Sequence, residues 1–372
     1  MKVLHLPDSC GGNAWGLAQG EKKLGLESTV LVKSDSWLKY PADISLQLQQ
    51  IRYKSLGLLK VFLTFLRIRK KYDVFHFNFG SSLLHFPARS SFLCQPELPF
   101  YPKSAKLFVT YQGCDARQKY KTMQRAKIAA CHEAGCYKGM CNSGVEDQRR
   151  RDGIEKMSRY ARHMWAVNPD LLYFLPPEKS SFLPYSVAYH DDIFYPPKFE
   201  KKLRIVHAPT QRECKGSGYI LKALEAVQKK YPHVIEVQLV ENMPHQKALE
   251  IYRQADLIID QILIGWYGAF AVETMMMGKP VIARIAEADL HFIPEQMAID
   301  LKQSVINADP ASIQSVLERC VEDRCFLEQR AQACREYAFK WHSPEYVASI
   351  TKAAYETAKE CPAVKPREAL TN

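Results

Sequence analysis

The chain has no window approaching the roughly 18 uncharged apolar residues that a membrane span requires, so no spanning helix is expected. It also lacks a basic start followed by a longer apolar stretch. MKVLHLP reads directly as a strand, so no signal peptide is expected and the cytosol is the default compartment. A disulfide framework is missing too: eleven cysteines, an odd number spread over 372 residues, fit reduced thiols. Cys114, Cys131, Cys136 and Cys141 crowd one stretch beside His132, but their spacing is not the C-x-x-C knuckle of common zinc modules. Free, partly buried thiols are the reading and a structural metal is the alternative. No internal repeat is present.

What is there is typical of a soluble globular protein: 47% apolar and 24% charged residues. The length suits two domains of about 150 to 200 residues each. The net charge of +11 is unevenly placed, with 29 Lys and Arg against 18 Asp and Glu in residues 1–200 and 22 of each in residues 201–372. Such asymmetry points to an anionic acceptor or an anionic membrane surface on the first half. No recognition module for nucleic acid accompanies the basic residues, so nucleic acid is not expected as a partner.

Strands are expected near 2–6, 28–32, 73–78, 106–110, 163–167 and 181–185, alternating with helices. This is the pattern of a parallel, doubly wound sheet. Residues 51–71, IRYKSLGLLKVFLTFLRIRKK, carry Leu56, Leu59, Phe62, Leu63 and Leu66 at helical spacing among basic residues. Packing of that stripe on the adjoining strand is the first reading, and a helix lying on a membrane the second. Basic residues 117–162 read as a lid or long acceptor loop followed by a helix. The alternation resumes with strands 203–208, 235–240, 256–260 and 281–284 and helices 217–230, 245–254 and 269–277. A loop through His291 and Pro294, a short strand at 304–306, a helix from an Asp309 cap to Asp323, and helices 325–340 and 344–360 follow. The tail after Cys361 is expected to fray.

ADLIIDQILIGWYGAFAVETMMMGKPVIAR, from 256 to 285, is the most informative stretch. It reads as strand, glycine turn, helix, Gly-Lys break and strand, with Glu273 fixed inside the helix. A helix that starts after such a turn aims free N–H groups and partial positive charge outward, which suits a diphosphate.

Glu273 and the Gly278-Lys279-Pro280-Val281 step resemble the donor motif of GT-B retaining glycosyltransferases of family 4. In that family two glutamates stand eight positions apart, and here the first falls on Gly265, which marks a divergent branch. HAPTQRECKG, residues 207–216, resembles the family loop that neutralises the donor pyrophosphate, with Arg212 and Lys215 three positions apart rather than the usual five. Gly11, Gly12 and Asn13 match the glycine turn brought near the donor. Without a third glycine at dinucleotide spacing they are no nicotinamide fingerprint. His76 ends a strand resembling the family's Asp-Val-aliphatic-His strand. Gln112 stands where many members carry histidine, with Asp115 three residues on.

The resemblance covers about 350 residues and implies two Rossmann-like domains facing across a cleft. Residues 1–185 would bind acceptor, 186–200 form a hinge, 201–345 bind nucleotide sugar, and 346–372 supply a crossover helix and tail. It implies a hexosyltransferase that moves sugar from a nucleotide-diphospho-sugar to a glycan, lipid-linked or other hydroxyl acceptor. Retention, independence of metal, and a place in bacterial surface polysaccharide synthesis, on the inner face of the membrane, go with it. Arg212, Lys215, Asp115 and His76 would be catalytic. Gly11, Gly12, Asn13, Gln112, Tyr267, Gly268, Ala269, Phe270 and Glu273 would bind donor, the residues from Tyr267 to Phe270 through backbone N–H groups. The alternatives are a catalytically silent glycan- or partner-binding protein, motivated by Gln112 and Gly265, and a nucleotide-sugar 2-epimerase on the same fold.

Overall fold

The structure, a computed structural model, describes residues 1–36, 38–86, 94–189, 193–199 and 202–357. In the first half, strands β1 (Lys2–Leu6), β2 (Glu27–Val32), β3 (Ile44–Ser45), β4 (Val74–Asn78), β5 (Lys106–Tyr111), β6 (His163–Ala166) and β7 (Ser180–Phe182) form one sheet. Its order is β3-β2-β1-β4-β5-β6-β7, and every described pairing is parallel. Helices α1 (Asn13–Lys23), α2 (Lys54–Ile68), α3 (Lys119–Arg125) and α4 (Val145–Tyr160) connect the strands. β4 is buried at all five positions, as a parallel strand covered on both faces must be.

The second half repeats the plan with β8 (Leu203–His207), β9 (Ile235–Leu239), β10 (Leu257–Ile259), β11 (Val281–Ala283) and β12 (Ile306–Asn307) in the order β12-β11-β10-β8-β9. Its helices are α5 (Arg212–Lys215), α6 (Ser217–Lys230), α7 (His245–Gln254), α8 (Ala269–Met276), α9 (Glu295–Ser304), α10 (Ile313–Glu322), α11 (Arg324–His342) and α12 (Pro344–Thr357). α6 shows the packing logic: Ile220, Ala223, Leu224 and Val227 recur at helical spacing and are buried. Burying each of the larger three contributes about 1.5–3 kcal/mol. The two parallel-sheet domains make the GT-B architecture, and α12 crosses back to the first domain.

That crossing is built from α1. Gly20 has no Cβ, and one placed there would stand 2.0 Å from the Pro344 carbonyl oxygen. Farther along, Tyr355 Oη donates to Glu21 Oε1 at 3.0 Å. Between the sheets, Ser186 N–H donates to Asn13 Oδ1, Tyr195 N–H to the Met277 carbonyl and Lys198 N–H to Asp256. The expected hinge also includes 190–192 and 200, outside the described residues, as do the expected fraying tail and the last turn of the helix placed at 344–360.

Several sequence expectations need correction. Residues 295–303, read as loop, and Ser304, read as the start of a strand, form α9, with Met297, Leu301 and Ser304 buried. Pro294 there is not a breaker but the residue before the helix, where a missing N–H costs nothing. The short strand consequently begins at Ile306. Asp309 does not cap α10: its carboxylate accepts from Ala311 and Ser312 N–H groups in a turn, and the helix opens after Ser312. Within 117–162 the structure places α3 and all of α4, and the stretch between them is loop with two short 3-10 turns.

Candidate functional site

The carboxyl ends of both sheets face a cleft, where ligands bind in open α/β folds. On the second domain, α5 is a single turn that ends at Gly216, whose φ of +77° is the left-handed conformation glycine adopts without strain. The turn presents Lys215, and its Nζ lies 2.8 Å from Asp260 Oδ1 at the end of β10. Asp260 Oδ2 accepts the Gly268 N–H at 2.6 Å. One buried carboxylate thus fixes both the ammonium and the residue before α8. The N–H groups of Ala269, Phe270 and Ala271 open α8 without acceptors inside the helix.

The first domain meets this point through Gly11, which has φ +60°; a Cβ there would lie 3.2 Å from that of Ala269. Gly12 packs on Tyr40, whose ring lies 4.8 Å from that of His245. His245 Nε2 in turn lies 2.8 and 2.9 Å from the two Glu273 oxygens. Burial, the largest influence, pulls the His245 pKa down, but the Glu273 hydrogen bond and charge outweigh it and leave it raised. Gly12, Tyr40, His245 and Glu273 share the wall of an interdomain cavity of about 400 Å³.

A second interdomain contact covers the α5 turn: Ile128, Ala130 and Cys136 pack with Cys214, Leu263 and Ile264. The Cys136 S–H lowers the Cys214 thiol against burial, with Lys215 adding to the effect. Nearby, Arg125 Nη1 bonds Asp289 Oδ1 at 2.6 Å beside a cavity of about 380 Å³ that Gly265 also lines. Gly265 is glycine for packing: a Cβ would stand 2.5 Å from that of Ala286. A glutamate at 265 requires the segment after β11 to move.

Arg212 does not converge with Lys215. Its guanidinium is half exposed and forks onto Glu241 at 2.7 and 2.6 Å. Asn13 uses Oδ1 on the connector, and its Nδ2 is buried without a partner among the described residues. The same holds for Gln112 Nε2, at the end of β5. Asp115 accepts the N–H groups of Gln112 and Gly113. Burial, the dominant effect, holds its carboxyl up at about 6 against those bonds. It lines a cavity of about 360 Å³ in the first domain, with His85, Tyr137 and Arg150.

His76 and the Tyr267 side chain lie elsewhere. His76 is fully buried, with Nδ1 2.6 Å from Tyr355 Oη and Nε2 2.6 Å from Thr110 Oγ1. Tyr355 gives its one proton to Glu21, so His76 donates from Nδ1 and accepts at Nε2. Burial, then His5, holds it well below its ordinary range. The Tyr267 hydroxyl is spent on Tyr337 and His342, while the Phe270 ring packs on Tyr252. Among the described residues Cys114, Cys131, Cys136 and Cys141 share no joint ligating position. The group there that does is His5, Glu21 and His76, whose atoms serve the α12 contact.

The sequence reading missed Asp260, Tyr40 and His245. Asp260 carried a signal, an acid closing an apolar strand just before the glycine turn. Tyr40 and His245 carried none, because only the tertiary structure stacks them.

No protein-family model and no curated protein matches the sequence. Solved structures do match along nearly the whole chain. Sucrose-phosphate synthase from Thermosynechococcus elongatus has a TM-score of 0.60 at 15% identity, covering 95% of this chain and 98% of its own. HepE from Anabaena, in complex with UDP and glucose, has 0.58 at 12%, covering 96% and 99%. A UDP-N-acetylglucosamine 2-epimerase from Listeria monocytogenes, so described provisionally, has 0.53 at 12%, covering 97% and 98%. At these identities the likeness is one of fold.

Proposed function

We propose that this protein is a glycosyltransferase that moves a sugar from a nucleotide-diphospho-sugar to a hydroxyl on a glycan or lipid-linked acceptor. The observation that carries this reading is the placement of Lys215 with Gly268 at the opening of α8, opposite the Gly11 turn. A departing nucleoside diphosphate develops negative charge, and a preorganised ammonium and helix N-terminus stabilise it without reorganisation. Arg212 leaves a surface partner to join them, an exchange that costs little because solvent screens exposed ion pairs. No metal is needed in this scheme.

Glu273, oriented by His245, holds the ribose. Retention follows the front-face course, in which the departing phosphate oxygen takes the acceptor proton, so no dedicated base is required. The acceptor occupies the first domain, where Asp115 lines its cavity. The bound UDP and glucose of HepE support the donor class, and surface polysaccharide assembly in the cytoplasm is the setting we assign by analogy. A thermal-shift screen against nucleotide sugars tests the proposal, since a bound donor raises the melting temperature with its occupancy. A panel that leaves it unmoved counts against donor binding.

A 2-epimerase is the second reading, favoured by the raised Asp115 carboxyl and by the epimerase among the similar folds. Incorporation of solvent deuterium at the sugar C2 without transfer would select it.

A further inference from the structure

The outer face of α2 is unlike that of the other helices. Gly57, Val61, Phe65 and Ile68 turn inward and are buried. On the opposite side Leu56, Leu58, Leu59, Phe62, Leu63 and Leu66 are all between 42% and 53% exposed. With 3.6 residues per turn these six span roughly 160° of the helix surface. The helix is therefore apolar on two sides, and among the described residues only one has a partner. Between α2 and the β2–β3 edge runs an apolar groove lined by Leu31, Ile44, Leu46 and three of the same leucines.

The charge around this face is of one sign. Exposed Lys54, Lys60, Arg67, Lys70 and Lys71 border it, and no acid occurs between Asp43 and Asp73. Lys60 gives an N–H to the Leu46 carbonyl, which leaves its charge intact. A second copy docking through the same patch would set these cations against their own images, with no local carboxylate to pair them. An anionic bilayer satisfies both halves of the surface: acyl chains cover the leucines and phenylalanine, and headgroup phosphates face the ammonium and guanidinium groups.

We infer that the outer face of α2 docks the protein onto an anionic lipid bilayer, with the helix lying in the interfacial plane. This surface lies apart from the cleft, so it stands whether or not the proposed transfer is correct. It predicts that the intact chain co-sediments with phosphatidylglycerol-containing vesicles, less so at high salt, and not with pure phosphatidylcholine vesicles. Leu59→Glu/Phe62→Glu and, separately, Lys70→Glu/Lys71→Glu should each lower vesicle binding about tenfold or more. All these side chains are exposed, so an unchanged melting temperature verifies folding of the variants. Three results would overturn the inference: no binding of the wild type, equal binding to both vesicle types, or a dimer in sedimentation velocity that Leu59→Glu/Phe62→Glu dissolves.

Discussion

Lys215 and Asp260 form a nearly buried ion pair, 2.8 Å between Nζ and Oδ1, that holds the ammonium beside the first N–H groups of α8. Removing one partner of such a pair leaves an uncompensated buried charge. Lys215→Ala and Asp260→Ala should therefore each destabilise the fold by about 3 kcal/mol. Lys215→Met combined with Asp260→Asn should recover most of that in urea denaturation and still fail to transfer sugar. A double variant as active as wild type would remove Lys215 from the mechanism.

Arg212 and Glu241 behave differently because their pair lies at the surface. Arg212→Ala should leave stability almost unchanged, because solvent screens an exposed pair. If Arg212 joins the diphosphate, the same variant weakens nucleoside diphosphate binding by tenfold or more in calorimetry. Glu241→Gln, which frees the guanidinium, should not weaken it.

His245 against Glu273 gives a pH dependence whose sign follows from the raised imidazole pKa. A raised pKa means that the folded state favours the charged ring. The stabilisation is complete below the ordinary value of about 6.5 and disappears as pH rises through the raised one. The melting-temperature difference between wild type and Glu273→Gln should be larger near pH 6 than near pH 9.

Asp115, whose carboxyl stands at about 6 because it is buried, gives the same sign of pH dependence, although here the neutral form is the one favoured. Its folded state favours the neutral acid, so the fold loses stability as pH rises from about 4 through 6. If transfer needs the carboxylate, log kcat/KM falls below pH 6 with unit slope, and Asp115→Asn abolishes that inflection. A profile with the same inflection in the variant would assign it to another group.

Tyr355 links the crossover helix to two residues of the first domain, His76 and Glu21. Tyr355→Phe keeps the packing but strands buried hydrogen-bonding groups. It should cost about 1–3 kcal/mol in chemical denaturation without altering donor affinity. A change in donor binding would instead tie this network to the cleft.

Much of the second domain was legible. The helices at 217–230 and 245–254 agree with α6 and α7 end to end, because amphipathic spacing and flanking breaks are local properties. The Gly-Lys-Pro break located the end of α8 for the same reason. α9 was not legible, since the proline preceding it looks in sequence like a loop residue. The first domain misled at His76. A histidine closing an apolar strand signals a cleft or an interior network equally well, and the residue that decides, Tyr355, is 279 positions away.

Sequence alone determined that the chain builds two parallel α/β sheets, and that a glycine turn leads into a helix carrying Glu273. Those features depend on residues close together along the chain. Only the tertiary structure decided what each charged group faces: Lys215 on Asp260, Arg212 on Glu241, Glu273 on His245, His76 on the crossover helix. Electrostatic partners are chosen by distance in space, and the folding that brings them within 3 Å is not written in the spacing of any one segment.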